Sequence, residues 1–266
     1  MCKLKSGLLF KNGVFVPDYD SHDKMLREKC IEDTAENRIA GKFVRFELSP
    51  ENDDPFVPID MWVFKIDQDE LPEWIKSDPE KYEAMARAAV KEWAEKHIFI
   101  GIDKLNLTDG SGYYLKDCTN VTLSGSSTVQ DMRGSSTVQD MSGSSTVQDM
   151  RDSSTVQDMR DSSTVRNMWG SSTVQDMWDS STVQNMRGSS TVQNMWDSST
   201  VQDMWGSSTV QDMSGSSTVQ IAENLSKGVN VKTIILSQNA IIKDCRTKTL
   251  YAVGDWKLSI KEESDA

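Results

Sequence analysis

The feature that most constrains this chain is a nine-residue unit, Gly/Asp-Ser-Ser-Thr-Val-Gln-Asp/Asn-Met-Arg/Trp/Ser, which begins at Gly125 and recurs in register to Gln220 without an insertion. Copies open at Gly125, Gly134, Gly143, Asp152, Asp161, Gly170, Asp179, Gly188, Asp197, Gly206 and Gly215. Position five is Val throughout, Val129 to Val219, and position eight is Met in every complete copy, Met132 to Met213. Changes fall mainly at positions one, seven and nine. A unit this short cannot bury its own apolar residues, so self-similarity at a fixed period predicts a solenoid in which each unit is covered by its neighbours.

The period also selects strands over helices. At 100° per residue a nonapeptide covers about two and a half helical turns, and Val and Met would wander around the helix instead of forming a stripe. Thr-Val favours extended backbone, and Gly or Asp at position one supplies turn chemistry. Strand alternation directs Val and the position-three Ser inward and Thr and Gln outward, so a bend must then return Met to the interior. A coil of one unit is too tight to enclose side chains. Two units per coil of a flattened, two-sheeted β-solenoid are expected, with three per triangular coil as the alternative. Each buried Val or Met contributes roughly 1.5–3 kcal/mol, against chain entropy of about 1–2 kcal/mol per residue, so stability comes only from summation along the stack. The competing reading is a disordered Ser/Thr tract. Low-complexity polar segments seldom hold two apolar positions so strictly.

The 266 residues, 37% of them hydrophobic, suffice for two modest domains. A net charge of −12 argues against direct binding of nucleic acid or of an anionic membrane, and suits a protein partner that is basic or that itself binds nucleic acid. Cys2, Cys30, Cys118 and Cys245 lack paired metal spacing, and the first residues lack the apolar run of a signal peptide, so a reducing, cytoplasmic setting is expected. No stretch approaches the length of a transmembrane helix.

Residues 1–115 read as a small α+β capping domain. Leu8-Leu9-Phe10 and Val14-Phe15-Val16 flank a Lys11-Asn12-Gly13 turn and predict a hairpin. Ser21 is placed to cap a short helix reaching about Ile31. Residues 42–48 alternate as a half-buried strand, with residues 60–66 as its partner. The clearest helix covers residues 79–97, with Tyr82, Met85, Ala89, Trp93 and Ala94 as its apolar face, and it leads into a short buried strand over residues 98–102. Asp18, Asp20, His22 and Asp23 are a conceivable metal set, but a helix N-terminus collects such residues for capping. His97 is placed to contact the last carbonyls of its helix. Asp67, Asp69 and Glu70 read as a solvated acidic loop. No Ser-His-Asp order, phosphate-binding glycine loop or zinc spacing is present, so no catalytic, cofactor or metal residue is assigned and no enzyme activity is expected.

Residues 116–124 are expected to form a degenerate first rung, residues 125–220 the repeat solenoid, and residues 221–266 a C-terminal cap. Within the cap, residues 229–242 read as a closing rung, and residues 250–253 with 256–260 as a terminal β-hairpin.

Several segments together carry a resemblance: the hairpin with residues 17–22, residues 63–72 containing Asp67-Gln68-Asp69, the helix end Glu92-Trp93-Ala94-Glu95-Lys96-His97, Tyr114-Leu115-Lys116-Asp117-Cys118, and the Ser-Thr-Val repeats. In these the chain resembles uncharacterised bacteriophage and gut-bacterial proteins with Ser-Thr-Val nonapeptide repeats. The resemblance implies a phage-associated protein working in the host cytoplasm; it brings no activity or catalytic residues with it.

Four uses of the repeat surface compete. A Thr ladder raises ice or glycan binding, but ice-binding solenoids show two adjacent Thr columns, and here position six is Gln in every copy except Arg166. A calcium β-roll would need paired glycines that are absent, and position-seven Asp gives way to Asn at Asn167, Asn185 and Asn194, which suits a turn residue bonding its own backbone better than a calcium ligand. Nucleic-acid mimicry by stacked Asp columns, inhibiting a DNA-binding protein, is weakened by the Gly, Asn and Arg interruptions. The preferred expectation is a non-enzymatic binding rod. With two units per coil, position nine forms the columns Arg133, Arg151, Trp169, Arg187, Trp205 and Ser142, Arg160, Trp178, Trp196, Ser214. Trp and Arg are the residues most enriched at binding hot spots, so these columns are the candidate surface for a protein partner, a host factor or a second copy of the chain. The competing reading stacks Arg on Trp within the chain.

Overall fold

The computed structural model describes residues 5–221 and 235–252. By compactness the chain divides into two units, residues 1–100 with 112–114, and residues 101–111 with 115–266.

The first unit is built on an antiparallel sheet, β1 (Lys5–Phe10), β2 (Gly13–Phe15), β3 (Val44–Ser49) and β4 (Val63–Ile66), in the order β2-β1-β3-β4. The first hairpin closes through a two-residue turn, Phe10 facing Gly13, and Phe46 of β3 faces Ile66 of β4. Because strand residues alternate between faces, adjacent Leu8 and Leu9 enter different cores. Leu8 packs with Met25, Leu26 and Phe43. Leu9 packs with Val44, Phe46, Leu48 and Trp62. Helices α1 (His22–Glu28) and α2 (Ala35–Ile39) are capped by Ser21 and Thr34, and a short α3 covers Glu73–Lys76.

Helix α4 (Pro79–His97) begins with Pro79 behind the N-cap Asp78, whose side chain accepts from the Lys81 N–H. It buries Tyr82, Ala86, Val90, Trp93, Ala94 and His97. The expected face is therefore rotated by one residue: Ala86 and Val90 reach the core, and Met85 is only partly buried beside it. The strand expected over residues 98–102 forms as β5 (Ile98–Ile100), but it is not buried. It is the terminal strand of its sheet, and Ile100 and Ile102 stay 51% and 41% exposed.

From β5 onward strands alternate between two parallel sheets. β6 (Asp103–Thr108), β7 (Ser111–Lys116) and β8 (Thr119–Ser124) precede the repeats, so the expected rung at 116–124 is preceded by further strands that show no repeat. Each nonapeptide then contributes one strand, from Thr128–Arg133 to Thr218–Ile221. Thr137 faces Thr155, Val138 faces Val156 and Met141 faces Met159 in one sheet, while Thr146 faces Thr164 in the other. A register of two nonapeptides per coil is thus the observed one. Val, Met and the position-three Ser, such as Val174, Met177 and Ser172, have no exposed surface.

The bend needed to bring Met inward is visible where repeats meet other strands. In β8 the inward residues Val121 and Leu123 are two apart, whereas in the facing repeat strand Val138 and Met141 are three apart, and the register shifts between Val138 and Asp140. The same shift recurs where Val201 and Met204 face Val219 and Ile221. Each repeat strand carries one extra residue between its buried side chains, the geometry of a β-bulge.

Position one turns the corner. Its backbone is left-handed at every copy, with φ from 53° at Asp197 to 70° at Gly215. Gly takes this conformation freely, and Asp tolerates it through local hydrogen bonds. At Gly143 a second constraint applies, because a Cβ would lie 2.7 Å from the Gly125 carbonyl oxygen. The Asp copies bond instead to the neighbouring coil: Asp161 accepts from the Gly143 N–H at 2.8 Å, and Asp179 from the Asp161 N–H at 3.2 Å.

At the C-terminal end Ile235–Leu236 pairs with Asp212 and Met213, and Ile241–Asp244 pairs with Thr218–Ile221. Thr249–Ala252 then folds back antiparallel on Ile241–Asp244. The expected hairpin arm at 256–260 and the start of the closing rung at 229–234 lie outside the described residues.

Candidate functional site: the two edges of the solenoid

The corner after each strand places position nine at the rim. Its N–H donates to the Met carbonyl of the preceding coil, as from Arg151 to Met132 at 2.9 Å and from Trp169 to Met150 at 2.8 Å. This ties the backbone of each column in register and leaves the side chains to find partners along the edge. The two alternating corners give two edges, one carrying Arg133, Arg151, Trp169, Arg187 and Trp205, the other Ser142, Arg160, Trp178, Trp196 and Ser214.

Which partner each side chain takes follows from position seven. Where that residue is Asp, a position-nine Arg turns back to it: Arg133 meets Asp131 at 2.6 Å, Arg151 meets Asp149 at 3.1 Å and Asp131 at 3.3 Å, and Arg160 meets Asp158 at 3.4 Å. Burial pushes the Asp131 carboxyl up, against the pull of Arg133 and Arg151. Arg187 follows Asn185 and so has no carboxylate at position seven of its own unit. Its guanidinium lies instead between two indoles, 4.7 Å from the Trp169 ring and 5.5 Å from that of Trp205. On the other edge the Trp178 and Trp196 rings stack at 5.2 Å and 11°. All eight candidate Trp and Arg residues thus have partners within the chain, yet Trp169 and Trp196 remain 37% and 38% exposed.

The Asn substitutions serve a purpose that the sequence alone did not reveal. Expected to bond their own backbone in a turn, they lie inside strands and bond along the column. Asn167 donates to Asp149 at 2.9 Å, Asn185 to Asn167 at 3.1 Å and Asn194 to Asp176 at 2.7 Å. In a parallel in-register sheet identical positions sit one coil apart, so an amide relieves the like-charge repulsion that a run of Asp would suffer. Thr forms one column per sheet, with Thr200 and Thr218 hydroxyls 3.3 Å apart.

In the first unit the conceivable metal set has separate partners. Asp20 bonds Lys5 at 3.0 Å, Asp18 lies 3.4 Å from His97, and His22 lies between the Phe46 carbonyl and Asp67. Among the described residues no group of three or more His, Cys, Asp or Glu could hold a metal ion. His97 contacts the Trp93 carbonyl at 2.7 Å, as its position at the helix end implied, and its ring stacks on Trp93 and Tyr113. Sequence reading passed over Lys5, whose side chain is fully buried, with its ammonium over the Trp93 ring at 4.5 Å. Burial holds that group below the ordinary lysine value. Its place in a strand that is apolar farther on was the only signal available.

By strand register and edge chemistry the chain is a two-sheeted parallel β-solenoid joined to a small α+β unit. Comparison with protein-family models, with curated proteins and with solved structures returns no match. No helix among the described residues is long and apolar enough to cross a membrane.

Proposed function

We propose that the chain is a non-enzymatic, phage-associated binding protein of the host cytoplasm whose solenoid edges present a repeated acidic and Trp/Arg surface to a protein partner. The supporting observation is that Trp169 and Trp196 keep more than a third of their surface exposed while partners along the edge hold their rings in place. An aromatic side chain already ordered in the free protein loses little conformational entropy on binding, which makes it an efficient anchor. The carboxylates of Asp131, Asp149 and Asp158 are engaged by Arg, which favours this reading over phosphate mimicry.

Light scattering with capture from a host lysate separates self-association from a host partner. Replacing Trp169, Trp178, Trp196 and Trp205 together with Ser removes the association and retains the strand signal in circular dichroism, since a buried interface Trp contributes about 2 kcal/mol or more. Loss of the strand signal in that variant assigns the ladder to folding alone and refutes the reading.

A further inference from the structure

The Trp178–Trp196 stack ends at a gap. Position nine of the next coil is Ser214, and the following coil places Ser237 there, its N–H donating to Met213 as that of Ser214 does to Met195. Two successive coils therefore offer a hydroxymethyl group where others carry an indole or a guanidinium. The result is a cavity of ≈ 220 Å³ lined by Trp196, Asn194, Asp212, Ser214 and Ser237. A site for a drug-sized ligand is larger, about 300–1,000 Å³. This one has room for a single ring.

Its walls differ in character. Trp196 is braced by Trp178 and offers a flat apolar surface. Met195 and Met213 also line it, and Asn194, Asp212, Ser214 and Ser237 supply hydrogen-bond acceptors. Asn194 commits its amide N–H to Asp176, leaving its carbonyl oxygen open, and Ser237 donates its hydroxyl to the Met213 carbonyl, leaving its lone pairs. Neither the Asp212 carboxylate nor the Ser214 hydroxyl makes a side-chain hydrogen bond among the described residues.

We propose that this notch is a subsite for one pyranose ring, which stacks a C–H face on Trp196 in the place an indole at position 214 would occupy, and whose hydroxyls donate to Asp212, Asn194 and the two serines. A flat apolar face with a rim of donors is the complement of these walls. A purely aromatic guest would stack as well but leave the acceptors without donors. An organic ammonium gains most from aromatic faces on several sides, and among the described residues Trp196 is the one aromatic side chain lining the notch. The inference goes beyond the protein-partner reading and does not depend on it.

The test follows the Trp196 indole N–H by NMR in the full chain, assigned with Trp196→Phe. Free hexoses, 6-deoxyhexoses and N-acetylhexosamines are titrated to tens of millimolar, the range in which such small contact areas bind. Indole and tetramethylammonium serve as competing chemistries, and a glycosylated carrier protein distinguishes a free sugar from a protein-borne glycan. At least one sugar gives a saturable shift, and Ser214→Trp weakens it by at least about ten-fold. The column already accepts Trp at positions 178 and 196, so this variant folds, which a melt at or above the wild-type temperature verifies. Trp169→Phe, on the other edge, leaves the titration unchanged. The proposal is overturned if no sugar moves the resonance, if Ser214→Trp binds as well as wild type, or if indole or tetramethylammonium binds tighter than every sugar. Trp→Ser variants that lose a protein partner while the sugar titration of Trp169→Phe persists separate the two readings.

Discussion

The indole of Trp178 lies 5.2 Å from that of Trp196 and within 11° of parallel, one coil apart. On the opposite edge the same spacing holds the Arg187 guanidinium between Trp169 and Trp205. A coil rise of about 4.8 Å is close to the stacking distance of flat groups, so a parallel solenoid converts any planar residue repeated at one position into a stack. Contacts of the Arg–Trp kind contribute about 0.5–1 kcal/mol each at exposed sites. They stiffen the edges without removing them from solvent.

The interior tolerates no charge. Val174 has no exposed surface and sits in a core one side-chain layer thick. Val174→Asp places an unpaired carboxylate there, a change of the class that costs more than about 4 kcal/mol, and a melt followed by circular dichroism loses its cooperative transition or shifts far downward. An unchanged melting temperature contradicts the assignment of this face as interior.

The Asn column makes a salt-dependent prediction. Asn167 is both donor to Asp149 and acceptor from Asn185. Asn167→Asp removes the first bond and sets two carboxylates against each other, lowering stability by about 1 kcal/mol at low ionic strength, and added salt restores part of the loss because it screens the repulsion. Denaturant titrations at two salt concentrations measure it.

Serine at position three behaves in the opposite way. Among the described residues the buried hydroxyls of Ser163, Ser172 and Ser181 have no hydrogen-bond partner, whereas the Ser136 hydroxyl donates to the Arg133 carbonyl at 2.7 Å. An unsatisfied buried hydroxyl costs about 1–3 kcal/mol. Ser172→Ala therefore melts at or above the wild-type temperature, while Ser136→Ala melts below it.

Acid loosens the antiparallel strand pair of residues 241–252. Asp244 is buried and accepts two side-chain hydrogen bonds from Arg246, at 2.9 and 2.7 Å, and these bonds hold its carboxyl below the ordinary range. A depressed folded-state value contributes stability that is complete above the unfolded value of about 3.9 and is lost as pH falls through the folded value. Hydrogen exchange of residues 241–252 accelerates below that point in wild type. In Asp244→Asn it is faster at neutral pH and nearly insensitive to acid over the same range.

Much of this molecule is legible in the sequence because its dominant interactions recur at a fixed spacing. Val at position five, Met at position eight and Ser at position three face inward as alternation plus one bend required, and the strands pair in the two-unit register. Composition of the columns at position nine follows from that register by counting. The span of helix α4 was equally local, readable from Pro79 at its first turn and His97 at its end, although its buried face is rotated by one residue. What the chain does was not legible, since no motif names an activity or a partner.

Tertiary structure alone decided matters that depend on neighbours distant in sequence. Strands β5 and β6 join the solenoid without any repeat, because pairing with the next coil needs only backbone groups and an occasional inward Leu such as Leu107. Burial of Lys5 depends on Asp20 and Trp93, which only the fold brings to it. The choice Arg187 makes between a carboxylate and two indoles, and the open face of Trp196 beside Ser214, arise from residues eighteen positions away, as the register of Asn167 on Asn185 shows. Periodicity determines which residues share a column; the distance between coils determines what those residues do to one another.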